Sequence, residues 1–313
     1  MNILIFGLGA LGTVYACLLK QKGHRVTGLA RKPVQEAVRE KGVRVTGIWG
    51  EHHAMLDEIV TGVDKISVCD FDLVLVTVKS YDTEKAAAEI AGILSPDTYV
   101  VLAQNGYGNF EAAAKHILEH RLILGRVIFG AETTGPGASK VTVIADDVIL
   151  GSPKNLIDQY KMETLAGVFR EAGIPTRFSE QVMKYIWGKI IYNSALNSMG
   201  AILEVNYGRL GEVEHSRKLM ESVIREIFAL LEKIGQEVLW PNPEAYLKDF
   251  YEKLLPATAS HHPSMLQDIQ RGRRTEIDAL NGAVVEMGKK HGVSTPVNDF
   301  IVSLVKAKEK MNL

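Results

Sequence analysis

The chain has 313 residues, 46% hydrophobic and 23% charged, which is the composition of an ordinary globular protein. Its 36 basic and 37 acidic residues leave a net charge of −1, without the basic excess of a nucleic-acid binder. No apolar run approaches the roughly 20 residues of a bilayer span, and the length supports two domains with cores of their own.

Two cysteines, Cys17 and Cys69, have neither metal spacing nor the density of a disulfide scaffold. The N-terminal MNILIFGLGALG lacks the basic start of a signal peptide and reads better as strand and turn. A reducing, cytoplasmic setting is therefore expected.

Asn2 to Phe6 is a short apolar strand that runs into Gly7-Leu8-Gly9-Ala10-Leu11-Gly12, and Ala10 to Lys22 then follows a helical pattern that stops at Gly23. Strand, GxGxxG and helix in this order form the dinucleotide fingerprint. Its glycines allow a tight turn, close approach of a pyrophosphate and close helix–strand packing, while the helix start supplies N–H donors. The next strand, Arg25 to Leu29, ends at Ala30-Arg31-Lys32. An NAD site would place an Asp or Glu near this point for the ribose hydroxyls. Here Arg31 and Lys32 stand ready to clamp a 2′-phosphate instead, so NADPH is the expected cofactor.

Val43 to Thr46 and His52 to Leu56 read as strands of an excursion, with His52 and His53 at the surface. Leu73 to Val78 is a continuous apolar run, the mark of a buried parallel strand. It delivers Lys79 at its end, ahead of a helix from about Thr83 to Leu94. Tyr99 to Leu102 repeats the scheme and delivers Gln104-Asn105-Gly106. Gly7, Arg31, Lys79 and Asn105 thus all follow strand ends, which in a doubly wound sheet share one ligand-binding rim. Leu122 to Thr133 and Val141 to Leu150 are rich in strand formers, with Gly135-Pro136-Gly137 between them and a hairpin turn expected at Asp146-Asp147. An amphipathic helix from Leu156 to Glu171 and an edge strand from Pro175 to Phe178 complete the first half.

From Ser179 onward the strand signals stop. Trp187 to Gly200 is apolar on nearly every side, as a buried helix is, yet Lys189, Asn193 and Asn197 recur at i, i+4 and i+8 along one stripe. Buried amide and ammonium groups cost several kcal/mol unless satisfied. Either the stripe is an internal polar ladder, or it is the wall of a cleft offering a proton and two amides to a small polar ligand. Further helices are expected over Leu210 to Ile234, Pro243 to Leu255, Ser264 to Lys290 and Pro296 to Lys310. In the first of these, Val213, Leu219, Val223, Ile227, Leu230, Leu231 and Ile234 form a core stripe.

Ser264-Met265-Leu266-Gln267 fits a capping box. The competing reading is a helix start that receives a carboxylate with help from the Ser264 hydroxyl. His261 and His262 lack a further ligand at metal spacing, and no metal is expected. In Arg271 to Asp278, a charge that faces inward among Ile277, Leu280 and Val284 would pair with Lys189. On one straight helix, Ser264 and Glu276 would lie about 18 Å apart at 1.5 Å per residue, so both could reach one small acid only if Gly272 kinks the helix.

Taken together these motifs resemble the ketopantoate reductase (2-dehydropantoate 2-reductase) family along nearly the whole chain. The resemblance rests on GLGALG, Arg31, Val78-Lys79, the QNG of Gln104 to Gly106, Lys189 with Asn193 and Asn197, and SMLQDI through RTEID. Ser198 stands where a proline is frequent, and Pro263 precedes Ser264. The resemblance implies an α/β fold, with a Rossmann-like doubly wound sheet over residues 1–178 and an all-α substrate domain over 179–313. It implies NADPH-dependent reduction of 2-dehydropantoate to pantoate, a step toward pantothenate and coenzyme A. Lys189 would be the general acid; Asn193, Asn197 and Ser264 would bind the keto acid; Glu276 would place the substrate or the lysine; Lys79 and Asn105 would sit by the cofactor, Asn105 reaching the substrate as well.

Two rival readings remain open. One keeps the chemistry but changes the substrate to another small 2-keto acid; the other is a non-catalytic NADPH sensor. The expected partner is a small molecule, neither nucleic acid nor membrane. The apolar helical domain could form a homodimer or simply pack internally.

Overall fold

A computed structural model of the chain describes residues 1–312. They fall into two compact units. The first comprises Met1–Gln104 with Asn109–Val182, and the second comprises Asn105–Gly108 with the chain from Met183 onward.

In the first unit β1 (Asn2–Phe6), α1 (Ala10–Gln21), β2 (Arg25–Leu29) and α2 (Lys32–Lys41) open the chain. Then come β3 (Val43–Gly47), β4 (His52–Ala54), β5 (Glu58–Val60), β6 (Leu73–Val76), α3 (Thr83–Ala91), β7 (Tyr99–Leu102) and α4 (Asn109–Ala113). The unit closes with β8 (Leu122–Arg126), β9 (Phe129–Gly135), β10 (Ala138–Ile144), β11 (Val148–Gly151), α5 (Gln159–Glu171) and β12 (Thr176–Phe178). Eight strands form one sheet in the order β12-β11-β8-β7-β6-β1-β2-β5. Those from β8 to β5 in that order run parallel. Ile3, Leu4, Ile5, Leu73 and Val74 are fully buried, as strands covered on both faces require.

Strand order reverses about β1, with β2 on one side and β6 on the other. Such a switch point leaves a crevice at the carboxyl ends of its strands. That is where the Rossmann-like unit carries its glycine motif.

Two expectations for this unit need correction. The excursion is part of a second, four-stranded sheet, β4-β3-β10-β9. The hairpin turn is at Pro136-Gly137, between β9 and β10, and not at Asp146-Asp147: β11 pairs antiparallel with β8 and leaves β10 altogether. Asp146 is instead an acceptor for the buried Arg126 guanidinium, Nη2 to Oδ2 at 2.7 Å.

The second unit is helical: α6 (Val182–Leu203), α7 (Tyr207–Glu212), α8 (Glu214–Ile234) and α9 (Pro243–Asp249), which continues through a π-helical turn at Phe250–Leu254 into α10 (Leu255–Ala257). It ends with α11 (Ser264–Gln270), α12 (Asn281–His291) and α13 (Pro296–Asn312). Among the described residues no helix is long and apolar enough to cross a membrane.

The expected helix from Leu210 breaks at Val213, which is extended and exposed, and Leu219 is exposed too; the core stripe of α8 is Val223, Ile227, Leu230 and Leu231. The expected helix from Ser264 to Lys290 is also two helices. Gly272, with φ of +59°, ends the first, and only a 3₁₀ turn at Ile277–Ala279 intervenes before α12.

Candidate active site

The glycine motif does two different jobs. A Cβ at Gly12 would lie 1.9 Å from the Gly7 carbonyl oxygen and 2.6 Å from Thr77 Oγ1, so close packing of α1 on the strand ends demands glycine there. Gly7 takes φ of +111°, open to glycine but not to most residues, and its carbonyl accepts from Thr77 Oγ1 at 2.5 Å. Gly9 is different, because a Cβ there would meet no heavy atom within 4 Å. The fold does not require glycine at 9, and the open space there leaves the backbone accessible to close approach. Gly9 caps α1 without a side-chain bond, and the first turn of α1 has no acidic residue, leaving its N–H groups and positive dipole end suited to a phosphate. Leu8, Ala10 and Leu11 complete the turn, Leu8 buried and the other two half-buried.

Arg31 is exposed at the end of β2, where it caps α2, and Lys32 opens that helix. No acidic residue stands between β2 and Glu36. Lys79 follows the end of β6 and is half-buried. Gly7, Arg31 and Lys79 thus stand at the carboxyl ends of three adjacent parallel strands. Thr77, which anchors the Gly7 carbonyl, was missed in the sequence; a threonine ending an apolar strand gives no signal of that contact.

In the helical unit, Lys189, Asn193 and Asn197 lie on the single helix α6, the lysine half-buried and both asparagines buried. Asn105 sits between the lysine and a carboxylate: Lys189 Nζ donates to Asn105 Oδ1 at 2.7 Å, and Asn105 Nδ2 donates to Glu276 Oε2 at 3.1 Å. A side-chain amide joins an ammonium to a carboxylate in this way only with its oxygen toward the first and its nitrogen toward the second. Glu276 is 8% exposed. The inward charge expected near Lys189 is therefore Glu276, reached through Asn105.

Asn105 follows the end of β7, as expected, and its segment, Asn105–Gly108, groups with the helical unit. Gly106 and Gly108 have φ of +88° and +95°, and Tyr107 N–H donates to the Ala279 carbonyl at 2.8 Å. The Tyr107 ring lies 5.2 Å from that of buried Trp187, two residues before Lys189. A Cβ at Gly106 would fall 2.4 Å from the Ala279 carbonyl oxygen, so this docking depends on glycine. The NGYG spacing was the available signal for it.

Ser264 does not cap its helix. Pro263 holds that position without a side-chain bond, and Ser264 is already the first helical residue. Asn197 serves the helix start instead: Asn197 Oδ1 accepts from Met265 N–H at 3.0 Å, while its Nδ2 donates to Ser264 Oγ at 3.0 Å. The capping box is thereby overturned, and the Met265 N–H of this helix start is taken by Asn197. Ser264 Oγ accepts from Asn197 and keeps its own proton to donate. The approach depends on Gly200, where a Cβ would lie 2.5 Å from Pro263 Cγ. The break after α11 also removes the straight-axis separation between Ser264 and Glu276.

Among the described residues no group of three or more His, Cys, Asp or Glu is arranged to hold a metal ion. The arrangement is thus an ammonium, amides, a hydroxyl and one carboxylate in one unit, and a glycine turn with a basic rim in the other. Comparison with known proteins reaches both parts of the chain. The model of the family described as Ketopantoate reductase PanE/ApbA matches residues 3–155, and that of its C-terminal part matches residues 181–309.

The chain belongs to the ketopantoate reductase family.

It is therefore an oxidoreductase of the class acting on CH–OH groups, dependent on a nicotinamide dinucleotide. A 2-dehydropantoate 2-reductase of Aquifex aeolicus is 48% identical over 100% of this chain and 98% of its own length. One from Pyrococcus abyssi is 32% identical over 99% of both chains. Among solved structures, D-mandelate dehydrogenase with NADH and anilino(oxo)acetate superposes with a TM-score of 0.89 at 28% identity, covering 100% of this chain and 99% of that one. The 2-dehydropantoate 2-reductase of Geobacter metallireducens gives the same TM-score and identity over 98% of this chain and 99% of that one.

Proposed function

We propose that this reductase uses NADPH to reduce 2-dehydropantoate to pantoate, the step that leads toward pantothenate and coenzyme A, with Lys189 as the general acid. The observation that carries the chemistry is the linked set Lys189–Asn105–Glu276, which holds an ammonium by a carboxylate through one amide. The 48% identity to a 2-dehydropantoate 2-reductase over the whole chain supports the substrate. Arg31 and Lys32, with no acidic residue at the end of β2, support the 2′-phosphate of NADPH. The cofactor would lie on the Gly7–Gly12 turn, with Lys79 beside it, and when bound it supplies a hydride.

As the keto carbon is reduced, negative charge gathers on its oxygen. The Lys189 ammonium stabilises that charge and then gives up a proton from Nζ. Asn105 and Glu276 fix the direction of that amine. Asn193 and Ser264 donate hydrogen bonds to the acid, and Asn197 acts beside them by orienting Ser264. The neutral amides orient the substrate without competing with its carboxylate for the ammonium.

Lys189→Ala should lower kcat by about 10² to 10⁴-fold while NADPH binding, read by fluorescence titration, persists. Undiminished turnover would remove the lysine from the chemistry. D-mandelate dehydrogenase shares the fold, so the substrate is tested by following NADPH oxidation with ketopantoate against other 2-keto acids, phenylglyoxylate among them. A higher kcat/KM for any of the others would overturn the substrate, and oxidation by none would favour a sensor.

A further inference from the structure

Glu276 sits in the poorly regular stretch between α11 and α12, so something outside that stretch must fix its direction. Thr275, 1% exposed, has its N–H bonded by Glu309 Oε1 at 2.6 Å, and its hydroxyl oxygen accepts from Ile277 N–H at 3.2 Å. The residues on both sides of Glu276 are thus pinned, one directly by Glu309 and the other through Thr275.

The helix that supplies Glu309 reaches the same stretch at two further points. Lys306 Nζ pairs with Asp278 Oδ1 at 2.6 Å, and Asn298 Oδ1 accepts from Asn281 Nδ2 at 3.0 Å. Next to Glu309, Lys308 Nζ donates to the Ala201 and Ile202 carbonyls at 2.9 and 3.1 Å, at the end of the helix that carries Lys189. One turn of α13 therefore holds the end of α6 and the backbone that presents the carboxylate.

We propose that Glu309 is a positioning residue for Glu276, holding the Thr275 amide so that the carboxylate meets Asn105. This rests on the functional reading above, in which Glu276 and Asn105 direct the Lys189 amine. Glu309 is half-buried and makes its contact through one carboxylate oxygen, so its loss should leave the fold standing.

The test uses the full chain with Glu309→Ala, Glu309→Gln, Glu276→Gln and the Glu309→Ala/Glu276→Gln double variant. Glu309→Ala should lower kcat about tenfold, the scale of a small misplacement, with KM for NADPH unchanged. Glu309→Gln, whose amide oxygen accepts the same N–H, should restore turnover. The double variant should be no slower than Glu276→Gln alone, since Glu309 acts through that carboxylate. Wild-type kcat in Glu309→Ala, an equal loss in Glu309→Gln, or a fully additive loss in the double variant would each overturn the proposal. Wild-type turnover in Glu276→Gln would instead sink the role given to that carboxylate. Amide exchange at Thr275 then judges the contact independently: it should quicken in Glu309→Ala alone, and no quickening overturns the inference.

Discussion

The two units use polar side chains in opposite ways. In the sheet unit the strands are buried in hydrocarbon, with buried polar contacts such as Arg126 on Asp146 at intervals, and ion pairs such as Lys20–Asp57, Lys115–Glu84 and Lys154–Glu119 are staples nearer the surface. What that unit offers a ligand is mainly backbone, exposed by glycine. In the helical unit buried polar groups thread the interior: Ser198 Oγ donates to Asn281 Oδ1 at 2.6 Å, and Asn298 Nδ2 donates to Glu226 Oε2 at 2.7 Å. The lesson is that one unit should be broken at its glycines and the other at its amides and carboxylates.

The largest effect in the sheet unit belongs to Gly12→Ala. Its Cβ would strike main chain at Gly7, which cannot rotate away, so a loss of about 3 kcal/mol in stability is expected together with loss of NADPH binding. Gly9→Ala sharpens the point, because its Cβ meets nothing. Thermal unfolding should show a cost below about 1 kcal/mol, while NADPH titration shows a clear loss of affinity. Equal damage to stability in both variants would show that the motif serves packing alone.

Arg31→Ala should act next, and more gently. The residue is exposed and at a strand end, so its removal should leave the melting temperature unchanged. The ratio of kcat/KM with NADPH to that with NADH should fall about tenfold, the value of one charge-assisted contact of about 1.4 kcal/mol. An unchanged ratio would mean that the guanidinium does not read the 2′-phosphate.

How far the sequence revealed these features follows the same division. The parallel strands of the doubly wound sheet and the glycine turn were legible because their signals are local: apolar runs of four or five residues and glycines at fixed spacing. The stripe of Lys189, Asn193 and Asn197 was legible because helical periodicity is local too. What escaped depends on partners far along the chain. The glycines beside Asn105 signal a tight turn but not that it docks beside Lys189, 84 residues later, and nothing near Ser264 shows that Asn197 takes over the capping of its helix. The break at Gly272 was available as a kink but not as a full stop, since its flanking charges read equally well as a solvated helix face. The Asp146-Asp147 hairpin failed because β11 pairs with β8 rather than with its neighbour in sequence.

The smallest effect tests whether the staples of the sheet unit are only staples. Asp57 accepts from Lys20 Nζ at 2.7 and 2.8 Å and from Val26 N–H at 2.7 Å, tying α1 to the start of β2. Burial alone would raise its carboxyl pKa, but the Lys20 and Val26 bonds outweigh it and hold the value below the usual carboxylate range. A lowered pKa in the folded state means that the unfolded chain takes up a proton first as pH falls. The contribution is therefore present above the unfolded value of about 4 and is lost as pH drops through the folded one. Asp57→Asn keeps an acceptor for Val26 and removes only the charge opposite Lys20, a pair worth about 0.5 to 1 kcal/mol at partial exposure. Melting curves should separate variant and wild type by about 2 °C at pH 7 and converge as the pH falls through the folded-state pKa, with kcat at pH 7 unchanged. Set against Glu309→Ala, which should cost turnover and little stability, this variant should cost a little stability and no turnover. A loss of kcat in Asp57→Asn would erase the contrast between the two units.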